Sequence, residues 1–214
     1  MTDPTAQLYL VTPPVVDAQA FTPALEAALA GGDIACVLVA ATASTPEPDL
    51  AALVRVVQAY GAAALVPDDP ALAIRLGADG VHVTRIEDLA AATRRLKPDG
   101  IVGAGNLLTR DDAMTAGESG IDYVMFGTGT GEVEPFATRL DRVAWWAEIF
   151  QVPCVALAHH GDEAARLAEA GAEFVALADV VWSDPDGPAA AVARASQAIA
   201  TGHAAFQARQ AGAA

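Results

Sequence analysis

Eight short apolar runs punctuate the chain, at residues 8–12, 34–40, 63–67, 80–84, 101–105, 123–127, 154–158 and 174–179. Within each run the apolar residues are nearly continuous rather than alternating with polar ones. That is the pattern of strands buried on both faces. Between the runs lie Ala-rich segments whose apolar positions recur at helical spacing. Residues 71–76, 87–96, 109–116, 139–150, 163–170 and 188–200 read as helices, and two more open at Thr22-Pro23 and at Asp49. Thr22 is the expected cap of the first helix, with Pro23 in its first turn. Thr109-Arg110-Asp111-Asp112 reads as an N-cap followed by acids that favour a helix start.

One short phrase recurs where a helix gives way to an apolar run. It is Gly31-Gly32-Asp33-Ile34-Ala35, then Gly77-Ala78-Asp79-Gly80-Val81, then Gly120-Ile121-Asp122-Tyr123-Val124, then Gly171-Ala172-Glu173-Phe174-Val175. The physical reading is a helix that stops on a left-handed glycine, then an acid, then a buried strand. The copies lie about 45 residues apart, twice the length of one strand-helix unit. Eight strands alternating with helices predict an α/β fold, a single (β/α)8 TIM barrel over residues 1–200. The tail, residues 201–214, is small and polar, and is expected either to fray or to extend the last helix. In such barrels the chemistry sits just after each strand.

Composition narrows the function. The chain has 214 residues, 53% of them hydrophobic and 18% charged, so one large core is expected. A net charge of −15 argues against nucleic acid or an anionic membrane surface as a partner. No apolar run approaches the roughly 20 residues that span a bilayer. Met1-Thr2-Asp3-Pro4 lacks the basic and apolar regions of a signal peptide, so a soluble cytoplasmic protein is expected. Cys36 and Cys154 lie in apolar runs and read as buried free thiols without activating partners. Trp145-Trp146 sends one ring towards the barrel and the other to a neighbouring helix, to solvent or to a homo-oligomer interface.

Several phrases carry a family resemblance. Leu8-Tyr9-Leu10-Val11-Thr12-Pro13 resembles the first strand of thiamine phosphate synthases and their relatives, the TenI-type thiazole tautomerases. Gly77-Ala78-Asp79-Gly80-Val81-His82-Val83 is similar to that family's fourth-strand phrase with its histidine. Ile101-Val102-Gly103-Ala104-Gly105, Asp122-Tyr123-Val124-Met125-Phe126-Gly127 and Pro153-Cys154-Val155-Ala156-Leu157 fit strands five, six and seven. The resemblance runs from about residue 8 to about residue 200 and implies thiamine biosynthesis. The synthase joins hydroxymethylpyrimidine diphosphate to a thiazole phosphate and releases pyrophosphate. That transferase chemistry calls for Mg²⁺ and for cations on the departing diphosphate.

The chain departs from the synthase pattern at most of those charged positions. After the second run it has Ala40-Ala41-Thr42 with no cation, and after the third Pro67-Asp68-Asp69 in place of Asn-Asp-Arg. The loop after the sixth run keeps Thr128-Gly129-Thr130-Gly131 but carries Glu132 and Glu134 in place of a lysine. Ala158-His159-His160-Gly161 and Asp179 stand where small phosphate-cradling residues are wanted.

The resemblance implies a metal site at Asp68 and Glu87, alongside Asp69 and Asp88. Alternatively these acids only favour helix N-termini. His82 is either a satisfied core histidine or a catalyst. Asn106, Thr128, Gly129, Thr130, His159 and His160 are the candidate substrate-binding residues for a heterocycle or phosphate ligand. Two functions follow: a divergent thiamine phosphate synthase, or a non-catalytic binding or regulatory homologue. They differ in whether Arg85 and Arg110 point into the mouth.

Overall fold

The computed structural model describes residues 6–15, 17–40, 45–128 and 134–213. Strands and helices alternate as β1 (Gln7–Val11), α1 (Ala18–Ala30), β2 (Ile34–Leu38), α2 (Glu47–Ala59), β3 (Ala63–Pro67), α3 (Pro70–Leu76), β4 (Gly80–Val83) and α4 (Ile86–Leu96). They continue as β5 (Ile101–Ala104), α5 (Arg110–Gly117), β6 (Tyr123–Phe126), α6 (Phe136–Ile149), β7 (Cys154–Ala158), α7 (Glu163–Glu169), β8 (Phe174–Leu177), α8 (Asp179–Trp182) and α9 (Pro188–Ala213). The strands pair in parallel in chain order and close into a ring, with β8 against β1. Leu8 stands beside Val175 and Leu10 beside Leu177 at that joint. The fold is a (β/α)8 barrel, as the apolar runs predict.

The repeated phrase has a job at the end of the barrel where the strands begin. In three copies the glycine takes a left-handed conformation, with φ of +66° at Gly77, +77° at Gly120 and +104° at Gly171. The acid that follows turns back to the neighbouring strand. Asp79 accepts the Ala64 N–H at 2.7 Å, Asp122 the Val102 N–H at 2.7 Å, and Glu173 the Cys154 N–H at 2.8 Å. Each acid therefore satisfies an amide at the start of β3, β5 or β7, which explains a period of two strand-helix units. The first copy differs. Gly31 has φ −77°, and a Cβ there would come 2.6 Å from the Ala189 carbonyl. It is small because α9 crosses it.

Side chains split into two layers. Outward residues of the strands pack with the helices around Leu53, Val57, Val143, Trp146 and Leu167. Inside the ring lie Tyr9, Cys36, Leu38, Leu65, Tyr123, Met125, Val155, Leu157 and Ala176. Both cysteines are buried and free. Trp146 is fully buried, stacks on Phe150 at 4.0 Å and donates to the Val152 carbonyl. Trp145 is half-buried, with the Arg110 guanidinium 4.6 Å from its ring centre.

Several expected boundaries move. The first helix starts at Ala18 on an Asp17 cap rather than at Thr22, whose hydroxyl donates within the helix to the Ala18 carbonyl. α6 starts at Phe136, one turn before residue 139. Asp179 is not the end of a strand; it opens the short α8. Residues 201–213 extend α9. Among the described residues no helix is long and apolar enough to cross a membrane.

Candidate functional site

A cavity of about 290 Å³ opens where the strands end. It is lined by Val11, Leu38, His82, Thr84, Asn106, Met125, Gly127, Thr128, Leu157 and Ala178. Leu38, Met125 and Leu157 form an apolar floor; His82, Thr84, Asn106 and Thr128 add polar groups to the wall. Of the residues expected to bind substrate, Asn106 and Thr128 line this cavity. Gly129 and Thr130 lie outside the described residues. His159 and His160 stand on the same face, at the end of β7, but not among the lining residues. Asn106 has φ +55° and sends its amide towards the Thr84 carbonyl at 3.5 Å. Asp68, the other non-glycine residue with positive φ (+54°) among the described residues, also follows a strand on this face. Such backbones cost free energy and cluster at functional sites.

The inner end of the cavity is closed by an unexpected polar chain. His82 Nδ1 lies 2.8 Å from the Tyr123 hydroxyl, which lies 3.0 Å from the Tyr9 hydroxyl. The Cys36 thiol sits beside Tyr9. His82 and Tyr123 stack with ring centres 5.7 Å apart. Strand β5 makes room for both rings: a Cβ on Gly103 would overlap the Tyr123 ring, and one on Gly105 would overlap His82 Nε2. Burial pushes the His82 pKa down to about 4, with Asp68 pulling weakly the other way. Burial raises both tyrosines and Cys36. The whole chain is therefore uncharged near neutral pH. Sequence reasoning left His82 undecided and missed Tyr9 and Tyr123. The usable signal was the glycine pair inside an apolar run, a sign of close approach in a strand.

The acids at the mouth are already engaged. Asp68 accepts the Thr84 N–H at 2.7 Å and the Thr84 hydroxyl at 2.9 Å on each oxygen. Asp69 caps α3 through the amides of Ala71 and Leu72. Glu87 is held at 2.6 Å by Arg85, which also reaches Asp88 at 3.5 Å. No group of three or more His, Cys, Asp or Glu among the described residues is gathered as metal ligands. Asp68 and Glu87 keep free lone pairs beside these partners, but the arrangement gathers no third carboxylate or imidazole with them among the described residues.

A second polar cluster lies behind Gly127, between β6 and β7. Arg139 is fully buried and donates to Glu163 at 2.7 Å; the same carboxylate accepts the His159 N–H at 2.8 Å. Nε and Nη1 of Arg139, Nε2 of His159 and Oε1 of Glu134 are buried without a hydrogen-bond partner among the described residues. Burial, then the Arg139 charge, lowers the His159 pKa. A Cβ on Gly127 would come 3.0 Å from Arg139 Cδ, so this glycine lets the arginine in.

The cations singled out from the sequence serve other partners. Arg85 binds Glu87 and Asp88, and Arg110 covers Trp145. No Lys or Arg lines the mouth cavity among the described residues.

An eight-stranded parallel barrel with a polar-walled cavity at its strand ends places the chain in the (β/α)8 class, where active sites occupy that face. The family described as thiamine monophosphate synthase matches residues 8–181. A thiamine-phosphate synthase of Rhodospirillum centenum is 46% identical over 201 residues, covering 90% of this chain and 96% of that one. One from Hyphomonas neptunium is 38% identical over 203 residues, with 88% and 91% covered. In structure, a thiamine phosphate pyrophosphorylase from Pyrococcus furiosus superposes with a TM-score of 0.71 at 22% identity, covering 91% of this chain and 95% of that one. A 3-hexulose-6-phosphate synthase superposes at 0.70 with 16% identity, covering 89% and 98%, so this likeness is one of fold. The chain belongs to the thiamine monophosphate synthase family.

Proposed function

We propose that the mouth of the barrel binds the pyrimidine of the synthase reaction, and that the chain condenses hydroxymethylpyrimidine diphosphate with a thiazole phosphate. The observation that carries this reading is the mouth cavity itself, an apolar floor under a few neutral polar groups at the strand ends, in a chain of this family. A flat heterocycle suits such a site, because its faces need apolar contact and its in-plane atoms need hydrogen bonds. The near full-length identity to relatives named thiamine-phosphate synthase supports the activity. His82, Thr84, Asn106 and Thr128 orient the ring, and the floor of Leu38, Met125 and Leu157 keeps water from one side of it.

A second reading, binding without catalysis, is favoured by the lack of Lys or Arg among the described lining residues. A diphosphate leaving group has no cationic partner there. A cation held by Asp68 or Glu87 would share the carboxylate with Thr84 or Arg85.

Isothermal titration with hydroxymethylpyrimidine diphosphate, with and without Mg²⁺, followed by an assay for thiamine phosphate, separates the two. The synthase reading expects binding and product, both weakened at least tenfold in Asn106→Ala. Binding with no product selects the second reading. No binding of the diphosphate up to millimolar concentration, in either buffer, overturns both.

A further inference from the structure

The His82–Tyr123–Tyr9 chain is more than a filled core. It connects the mouth to a second cavity, about 310 Å³, at the opposite end of the barrel. Tyr9, Cys36 and Tyr123 line that lower cavity, whereas His82 lines the upper one. Packing alone does not require two tyrosines and a histidine in line, nor two glycines in β5 to admit their rings. The histidine's Nδ1 is spoken for by Tyr123, while its Nε2 makes no hydrogen bond among the described residues and lies beside Gly105, and His82 belongs to the wall of the mouth.

Proton counting separates the two possible arrangements. Each hydroxyl has one proton to give, and the neutral imidazole has one N–H and one lone pair in its plane. In one arrangement His82 Nδ1–H donates to Tyr123, Tyr123 donates to Tyr9, and the Tyr9 proton is left for the Cys36 sulfur. Sulfur is a weak acceptor. In the other, Tyr9 donates to Tyr123, Tyr123 donates to Nδ1, and the thiol points its own weak donor at Tyr9. Here each O–H meets an oxygen or an aromatic nitrogen, and the imidazole proton is on Nε2, the nitrogen that has no partner among the described residues. Burial holds the ring neutral, so its proton position, not its charge, is what the chain controls.

We propose that the Nε2–H of His82 donates to a ring nitrogen of the pyrimidine bound in the mouth, and that Tyr123, backed by Tyr9, is the positioning residue that fixes this tautomer. The inference rests on the reading of the mouth as a pyrimidine site. A pyrimidine ring nitrogen is an in-plane acceptor and pairs with an N–H donor, not with a second lone pair. Unphosphorylated hydroxymethylpyrimidine is the natural probe, since it tests the ring contact without the diphosphate.

The chain has four histidines, few enough for ¹⁵N-labelled imidazoles to be resolved, with His82→Gln assigning the signal. In the wild type, His82 is expected to show a protonated Nε2 and an unprotonated, hydrogen-bonded Nδ1. Added hydroxymethylpyrimidine is expected to move the Nε2 and its proton while Nδ1 keeps its character. Tyr123→Phe is expected to mix the tautomers and to weaken binding of the probe about tenfold, one hydrogen bond's worth. Tyr9→Phe, one step further away, is expected to mix them less. An Nδ1-protonated His82, an Nε2 signal indifferent to bound probe, or wild-type affinity in Tyr123→Phe overturns the inference and leaves the pyrimidine site standing. Failure of the wild type to bind either the probe or the diphosphate removes the pyrimidine site and the inference together.

Discussion

At the scale of single residues, the barrel's polar groups matter because so few of them are buried. His82 illustrates the cost. A free histidine titrates near 6.5, but in the fold the proton is excluded until about pH 4. Between those values the unfolded chain binds a proton that the folded chain refuses. Stability is therefore fully present above pH 6.5 and is lost as pH falls towards 4. Roughly 2 kcal/mol is expected to be gone by pH 5 from this residue alone. Urea unfolding at pH 7 and pH 5 measures the loss, and His82→Gln is expected to shrink it; an unchanged difference assigns the pH dependence elsewhere. Arg139 gives a second residue-scale expectation. Arg139→Met leaves the Glu163 carboxylate without a cation in a nearly dry site and is expected to cost about 3–5 kcal/mol. Adding Glu163→Gln is expected to restore a large part of that loss, because the amide still accepts the His159 N–H without carrying charge. A double variant no more stable than the single one, by urea midpoint, contradicts the ion-pair account.

At the scale of elements, most of the barrel was legible. Eight continuous apolar runs became eight strands, and Thr109 caps α5 in a reciprocal pair with Asp112. What escaped has physical reasons. The helix start at Ala18 was hidden because Thr22-Pro23 imitates a capping signal, whereas Asp17 is the cap and Pro23 lies inside the helix. The last residues of each run read as strand because they are apolar, yet several belong to the mouth. The site itself was legible only in part. Asn106 and Thr128 were found by their place after a strand, whereas Tyr9 and Tyr123 look in sequence like ordinary strand aromatics. Arg139 was invisible because an arginine in the first turn of a helix is normally solvated. The tail was left between two outcomes, and α9 shows why it is helical. Gly202 allows α9 to lie against the Ala165 backbone, Phe206 packs over Gly171, and Arg209 pairs with Glu169 at 2.6 Å. Ending the chain at residue 200 is expected to lower stability by roughly 1–3 kcal/mol, several degrees of melting temperature. A melting curve superimposable on the full chain's overturns the idea that this segment braces α7.

At the scale of the whole molecule, charge is the dominant long-range property. Twenty-seven acids against twelve basic residues give a net charge of −15 on a compact body. Self-repulsion of that size opposes folding and is screened by salt, with a screening length of about 10 Å at 0.1 M. Raising sodium chloride from about 20 mM to about 200 mM is expected to raise the melting temperature. A fall instead indicates that the surface ion pairs, such as Arg75–Glu47 and Arg194–Asp184, outweigh the repulsion.

The ring also has a history in time. Its closing seam joins the first strand made to the last, with Gln7 beside Phe174 and Leu10 beside Leu177. During synthesis β1 must wait for residues 174–177 to be added, on the order of ten seconds at ordinary elongation rates. Through that interval the growing sheet has two bare edges of unpaired amides and carbonyls, and most of its apolar surface is already present. The finished barrel has no edge and the nascent one has two. For this chain the strand edges that could pair with another molecule exist only until β8 closes on β1.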